Sequence, residues 1–371
     1  MTRVLVAMSG GVDSSVAAAL VKAAGDEAIG VWMRLHDVAD TNSEFRRSCC
    51  SLDAAEDARR VAAQLDIPFY IFNLEREFDQ GVLQPFLRAY LQGRTPNPCV
   101  DCNNVVKFGA LLGRARFMYD CDAVATGHYA RIAEGNEGEY RLLRGLDPKK
   151  DQSYFLYGLG QDELAHTRFP LGELTKPQVR DAARSLGLAT ANKPDSQEIC
   201  FVPRGDYREV LRERAGWRPQ PGPIEDTDGT QVGEHFGAAG YTVGQRHGIG
   251  VALGEARYVM RIDAATNKIR LGRRGDLMAR TFQVEEVRFV AGAPPSARPG
   301  APLGSFDAQV QIRHGGRTAA ATVRLTEDGH WIVETDEPVW AAAPGQAAVF
   351  YRGEEVVGGG RISRPEEPVG G

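Results

Sequence analysis

The stretch Val4-Leu5-Val6-Ala7-Met8-Ser9-Gly10-Gly11-Val12-Asp13-Ser14-Ser15-Val16-Ala17-Ala18 decides how the chain is read. It begins as an apolar run of strand type, and from Val16 onward small helix-forming residues follow. Two adjacent glycines lie between. A strand that becomes a helix through glycine leaves the first helical N–H groups unpaired and facing outward, so an anion can approach bare backbone. Such a turn suits phosphate. No lysine follows the glycines, which excludes the loop whose lysine reaches β- and γ-phosphates, and the Gly-x-Gly-x-x-Gly spacing of dinucleotide folds is missing too. What remains is Ser-Gly-Gly-Val-Asp-Ser-Ser, three hydroxyls and one carboxylate around two glycines. The plainer alternative is an ordinary strand–helix turn with Ser or Asp as its N-cap.

Outward from this turn, strand patterns recur at Ala28-Ile29-Gly30-Val31-Trp32-Met33, Ile67-Pro68-Phe69-Tyr70-Ile71-Phe72 and Ala123-Val124-Ala125-Thr126. Helical patterns separate them. Ser51 can cap a helix whose Leu52, Ala55, Ala58, Ala62 and Leu65 share one face, and Phe78, Val82, Phe86 and Tyr90 mark another, with Pro85 starting or kinking it. Phe108, Leu111, Leu112 and Ala115 mark a third. This alternation predicts an α/β unit, a parallel sheet with helices on both faces. Ligands of such sheets sit at the carboxyl ends of strands, where Ser9, Met33 and Gly127 all fall. After the prolines 219, 221 and 223 the apolar period becomes two, as in Tyr258, Met260 and Ile262 and in Ala308, Val310 and Ile312. The expected organisation is 1–205 for the α/β unit, 206–285 for a small β domain and 286–371 for a C-terminal β-barrel.

The composition, 43% apolar and 25% charged over 371 residues, is that of an ordinary globular chain. No apolar run approaches the roughly 18 residues of a membrane span, and the first strand begins without a signal-type apolar region, so a cytoplasmic protein with no membrane role is expected. A net charge of −5 neither indicates nor excludes a nucleic-acid partner, since phosphate contacts need only a local basic face. Six cysteines (Cys49, Cys50, Cys99, Cys102, Cys121 and Cys200) are few for a disulfide framework, so those in loops read as reactive or metal-binding. Cys102 lies in the proline-rich loop Thr95–Asn103, and Cys200 in the loop Lys193–Phe201. A thiol of pKa about 8.5 is on the order of a tenth thiolate at a pH in the mid-sevens, and a cation such as Lys107 raises that share. Taken singly, Cys102 also reads as a polar-loop residue and Cys200 as part of a buried strand between Ile199 and Phe201.

Taken together, the motifs are more specific. The turn Ser9 to Ser15 resembles the pyrophosphate loop of the N-type ATP pyrophosphatases, which split ATP into AMP and pyrophosphate. To it are added Asn97-Pro98, Cys102-Asn103 and Lys107-Phe108, then Ala125 to Tyr129, Lys150 to Phe155 and Asp195-Ser196 with Ile199-Cys200-Phe201. Gly244-Gln245-Arg246 and Pro344-Gly345-Gln346 continue the series in the same order. This set resembles the bacterial tRNA-specific 2-thiouridylases over nearly the whole chain.

The resemblance implies sulfur transfer to C2 of the wobble uridine in tRNAs for Lys, Glu and Gln. ATP with Mg2+ would adenylate the C2 oxygen, and a persulfide on Cys200, supplied by a cysteine desulfurase or sulfur-relay protein, would attack C2. Cys102 would then resolve the persulfide, leaving a Cys102–Cys200 disulfide. Ala7, Met8, Ser9, Gly10, Gly11, Val12, Asp13, Ser14, Met33 and Gly127 would bind ATP, with Asp13 facing the magnesium. Asn97, Pro98, Cys99, His128, Lys150, Asp151, Gln152, Arg313, His314 and Gln346 would meet the tRNA.

One departure stands out. The better-known family pattern has an acid/base Asp where this chain has Cys99, leaving Asp101 as a nearby carboxylate and creating Cys99-x-x-Cys102. With Cys49 and Cys50 they bring four thiols to one neighbourhood, which could bind zinc or an iron–sulfur cluster, but vicinal cysteines lack the usual two-residue spacer and argue against it. Plainer readings stay open elsewhere: His128 as a polar strand end, Lys150-Asp151-Gln152 as a charged turn, and the arginines 204, 208, 212, 214 and 218 as a solvated helix face rather than an RNA-backbone face. Rival functions are an ATP-dependent amidotransferase or ligase without sulfur chemistry, an RNA-binding protein with a relic loop, and a thiol oxidoreductase.

Overall fold

The computed structural model describes residues 1–36, 51–135, 138–195, 199–202, 205–297 and 304–365. Its first sheet has five parallel strands in the order Phe69–Asn73, Glu27–Arg34, Arg3–Ala7, Ala123–Ala125, Thr167–Arg168. Arg3–Ala7 is central, with Leu5 beside Ile29 on one side and Val124 on the other. Alternate side chains enter different cores. Leu5, Val31, Phe72 and Val124 pack against Phe78, Val82, Phe86, Val106 and Leu111, while Val4, Val6, Ala28 and Ala125 pack against Val16, Ala58, Ala62 and Val179. Because both faces are covered, the strand reads as an unbroken apolar run.

The helices follow their local signals. Ser51 accepts a hydrogen bond from the Ala54 amide and starts Leu52–Gln64. In the helical stretch 75–91 the ladder widens to π geometry over Asp79–Leu83, just ahead of Pro85. Proline has no N–H to donate to the preceding turn, so Pro85 opens the piece Gln84–Leu91 rather than breaking the helix. Among the described residues no helix is long and apolar enough to cross a membrane.

A four-stranded sheet follows, ordered Tyr258–Asp263, Lys268–Gly272, Gly222–Glu225, Gln231–His235. The last unit is a six-stranded barrel of Met278–Phe289, Trp331–Trp340, Ala319–Leu325, Ser305–Gln311, Ala347–Arg352 and Glu355–Pro365, closed by pairing of the first strand with the last. The expected division at 285/286 falls inside Met278–Phe289. Prolines 294 and 295, which break the β region of the sequence, follow the first barrel strand instead of preceding it. The helix Tyr207–Ala215 opens at the Asp206 cap, yet its Val210 and Leu211 still pack into the α/β core.

The barrel is fastened to the α/β unit by backbone and charge. A hairpin, Ala130–Glu134 with Tyr140–Arg144, extends the barrel sheet through Leu143 beside Glu355 and Leu142 beside Val356. The Thr95 amide donates to the Pro344 carbonyl at 2.7 Å. Buried Asp101 accepts from Arg361, whose guanidinium also holds Glu286 at 2.8 Å. Asp101 is thus a fastener between units, not a carboxylate facing substrate. Burial pushes its carboxyl up and Arg361 opposes the shift.

Removing one partner of this pair strands a buried charge, at a cost of about 3–5 kcal/mol. Arg361→Met should therefore release the barrel at lower urea, followed by limited proteolysis, and Asp101→Leu in the same chain should restore most of the loss. An unmoved transition in the single variant would show that the pair does not hold the units together.

Candidate active site

The strand order reverses at Arg3–Ala7, whose successors run to one side while Ala123–Ala125 lies on the other. That reversal opens a crevice at the carboxyl ends of these two strands. Helix Val12–Ala23 starts there with Gly11 as its N-cap and no side-chain cap, so its leading N–H groups face the crevice. Gly10 has φ +71°, and a Cβ on it would stand 2.1 Å from the Ala54 carbonyl oxygen. Gly127 arrives from the neighbouring strand, where a Cβ would stand 2.9 Å from the Ser14 amide nitrogen. Only glycine lets these segments touch.

The hydroxyls brace the turn. Ser14 and Ser15 donate to the Gly11 carbonyl at 3.1 and 2.8 Å, and the Ser9 amide donates to Ser14 Oγ at 3.1 Å. Ala7, Met8 and Val12 have buried side chains, so they offer a ligand only backbone. Asp13 is held by Lys176, whose Nζ lies 2.8 Å from each carboxylate oxygen, and by the Tyr129 hydroxyl, which donates at 2.7 Å. Burial and the Asp13 charge push Tyr129 far up, which keeps it a donor. Lys193 reaches the Gly10 carbonyl at 2.9 Å and Asp57 at 2.8 Å.

The cysteines separate by environment. Cys102, in the helical stretch 98–119, and Cys200 are half-buried thiols against the same core cluster, as is Met33 at the end of its strand. Phe201 anchors the second of them, meeting Phe78 and Phe86 edge-on with centroids 5.4 and 5.0 Å apart. Cys99 is exposed, whereas burial pushes Cys121 up to about 11 and leaves it inert. Cys49 and Cys50 lie outside the described residues, and among those described no His, Cys, Asp and Glu group is arranged to hold a metal ion.

His128 follows Gly127 and is buried against Phe108 and Phe169. Burial, reinforced by Lys107, pushes its pKa well below the usual imidazole value. It is therefore neutral. Lys107 Nζ lies 3.4 Å from Nε2, which makes that nitrogen the acceptor and Nδ1 the donor to Thr126 Oγ1 at 2.7 Å.

The other candidates gather along one seam. The Asn97 side chain meets Tyr154, whose hydroxyl donates to the Ala347 carbonyl at 2.9 Å. Gln346 Nε2 lies 3.5 Å from the Pro96 carbonyl. From the barrel, His314 lies against Phe155 with the rings tilted and their centroids 4.5 Å apart, and Arg313 lies 4.9 Å over the Trp340 ring while donating to the Trp340 carbonyl at 2.6 Å. Lys150 pairs with Asp195 at 2.7 Å. Asp151 and Gln152 are engaged internally: Asp151 with Arg144 at 2.8 Å and the Ser153 hydroxyl at 3.1 Å, Gln152 with the Tyr129 amide at 3.0 Å. Pro98 opens the short helix Pro98–Asp101 that carries Cys99.

Sequence reasoning did not single out Lys176 or Tyr129. A signal was available for Lys176. Thr175 and Gln178 form a capping box, which places Lys176 at the start of a helix, where the dipole disfavours a cation and a carboxylate partner is called for.

Alanine at position 10 would force a left-handed backbone and overlap the Ala54 carbonyl, so Gly10→Ala should cost at least about 2 kcal/mol and remove ATP binding measured by calorimetry. Undiminished binding would contradict the turn as the phosphate site. For His128 the folded pKa lies below the unfolded one, so the unfolded chain takes up the proton first. Its contribution is complete above about pH 6.5 and is lost as pH falls below that toward the folded pKa. His128→Gln should flatten the decline of the urea midpoint below about pH 6.5; comparison with the parent isolates it from His235 and His314, which burial also lowers. An unchanged slope would contradict a neutral buried imidazole.

Three family models match in succession: the tRNA methyl transferase HUP domain over 2–204, the tRNA methyl transferase PRC-barrel domain over 208–273 and the aminomethyltransferase β-barrel domain over 279–362. The chain is 51% identical over 367 residues to the tRNA-specific 2-thiouridylase MnmA of Chloroflexus aurantiacus, covering 99% of each chain. It is 47% identical to that of Roseiflexus castenholzii, over 98% of this chain and all of the relative, and 45% identical to that of Carboxydothermus hydrogenoformans, over 98% of each. With that identity along its whole length and a glycine turn at the switch point of its first sheet, the chain belongs to the tRNA-specific 2-thiouridylase family, within the pyrophosphate-loop superfamily.

Proposed function

We propose that this protein is a tRNA-uridine 2-sulfurtransferase, acting with ATP and Mg2+ on the wobble uridine of tRNAs for Lys, Glu and Gln. The observations that support this reading are a glycine turn with uncapped N–H groups after the central strand of a parallel sheet, and two half-buried thiols, distant in sequence, that pack against one core cluster of the same sheet. The turn suits a polyphosphate, since Gly10 and Gly127 bring backbone close together there with no side chain of their own. ATP supplies the leaving group, by adenylating the C2 oxygen of the base. The residues around it hold and orient. Gly11 and Val12 present N–H groups to phosphate, Met33 lies on the thiol side, and neutral His128 keeps its proton on Nδ1.

Cys200 carries the sulfur as a persulfide, delivered by a desulfurase or relay protein. Its terminal sulfur would form the bond to C2, and the C2–O bond would break as AMP leaves with that oxygen. The Cys102 thiolate attacks the inner sulfur of Cys200, the S–S bond of the persulfide breaks, and a Cys102–Cys200 disulfide is left for an external dithiol to reduce. Bridging requires Cα atoms within about 4.4–6.8 Å. The seam of Asn97, Pro98, Cys99, Lys150, Arg313, His314 and Gln346 receives the anticodon arm, with Asp151 and Gln152 positioning that surface from within. Magnesium at Asp13 requires displacement of Lys176 from its carboxylate.

The test is direct. Protein, ATP, magnesium, a persulfide source and unmodified tRNA should give 2-thiouridine on mass analysis of digested RNA. Cys200→Ser and Cys102→Ser should each lower the yield by at least about a hundredfold. Full yield from either variant would overturn the roles given to the two cysteines, and no thiolated nucleoside with an active donor would overturn the proposal and favour an ATP-dependent amidotransferase or ligase.

A further inference from the structure

Asp195 precedes Cys200 by five positions, so about 18 Å of extended chain is the most that separates their Cα atoms. Its carboxylate is gripped by three cations: Lys150 at 2.7 Å, Lys176 at 2.8 Å and Arg180 at 2.8 Å. Arg180 also donates to the Ala191 and Lys193 carbonyls at 3.0 and 3.2 Å. The segment 191–195 is therefore fixed just before the thiol. Partial burial alone would push Asp195 up, but the hydrogen bonds from Lys150 and Lys176 prevail and bring it down to about 2.

Lys176 is shared. The same Nζ that grips Asp195 lies 2.8 Å from both oxygens of Asp13, the carboxylate on the first turn of the phosphate-site helix. Its side chain is only 10% exposed, which leaves little room for water to screen the two contacts. One ammonium has three protons to give, and here they are divided between the nucleotide turn and the approach to Cys200. Any bound group that alters the charge at Asp13, a magnesium ion or a phosphate oxygen, changes how Lys176 is divided. The second contact must respond.

We infer that Lys176 is a positioning residue that couples occupancy of the phosphate turn to the placement of the Cys200 segment, with Asp195 as its second terminal. The inference rests on the nucleotide reading of the turn given above. Sulfur on Cys200 would then be presented to the crevice in register with ATP, and Lys150 would link the same carboxylate to the tRNA-facing seam. Coupling between two sites through a shared element changes affinity or exposure by about 5- to 150-fold.

The experiment follows the alkylation of Cys200 by iodoacetamide, resolved by peptide mass, in the full-length protein with and without ATP and magnesium and without tRNA. ATP binding is measured by calorimetry on the same samples. In the parent, ATP should change the Cys200 rate at least about fivefold. In Lys176→Met and in Asp195→Asn the ratio of the two rates should fall to near one, whatever the basal rate; Asp195→Asn retains Lys176 beside Asp13 and so retains ATP binding. A merely structural role would alter the basal rate but keep the ratio. Should both variants bind ATP and respond as the parent does, or should the parent bind ATP with no change at Cys200, the coupling is overturned. Should the parent bind no ATP, the nucleotide reading itself fails and this inference falls with it.

Discussion

Everything at this site depends on two strand ends lying so close that only backbone fits between them. Gly127, following one strand, abuts the first turn of the helix that follows the other, and Gly10 is pressed against the carbonyl of Ala54 from a third element. The contact removes side chains from the mouth of the helix and leaves its N–H groups as the chemically significant surface. Larger residues at either position would fill that surface with carbon. The five-stranded sheet behind it, buried on both faces, is what keeps the separation fixed.

The remainder of the molecule brings distant sequence to this mouth. The barrel is built from residues after 277, yet its last strand pairs with a hairpin of the first unit, and its loops supply Arg313, His314 and Gln346 beside Asn97 and Phe155. Ion pairing at Asp101 and Arg361 and the backbone bond from Thr95 to Pro344 set the seam between the units. A surface assembled from both ends of the chain suits a ligand far larger than a nucleotide.

The α/β unit was legible because its signals are local. An apolar strand, a glycine pair and helices with regular apolar spacing each follow from a few neighbouring residues, and Ser51 and Pro85 act where their chemistry places them. The strand–glycine–helix turn was legible for the same reason. Less legible were features that depend on contacts across the chain. The barrel's start at 278 was obscured by prolines that come after its first strand, and the hairpin at 130–144 shows its purpose only once the last strand lies beside it. Asp101 looked near enough to replace the family's acid/base carboxylate, but a residue more than two hundred positions away claims it. The network through Lys176 was hidden likewise, since Asp13, Tyr129, Lys176 and Asp195 share no local pattern.

The central claim is that two thiols far apart in sequence, Cys102 and Cys200, open onto one crevice beside the phosphate turn. Mild oxidation of a variant in which Cys49, Cys50, Cys99 and Cys121 are serine tests it most directly, with peptide mapping of the product. The account predicts an intramolecular Cys102–Cys200 disulfide, formed at a rate independent of protein concentration. Intermolecular dimers or unbridged thiols under conditions that oxidise a model dithiol would contradict it.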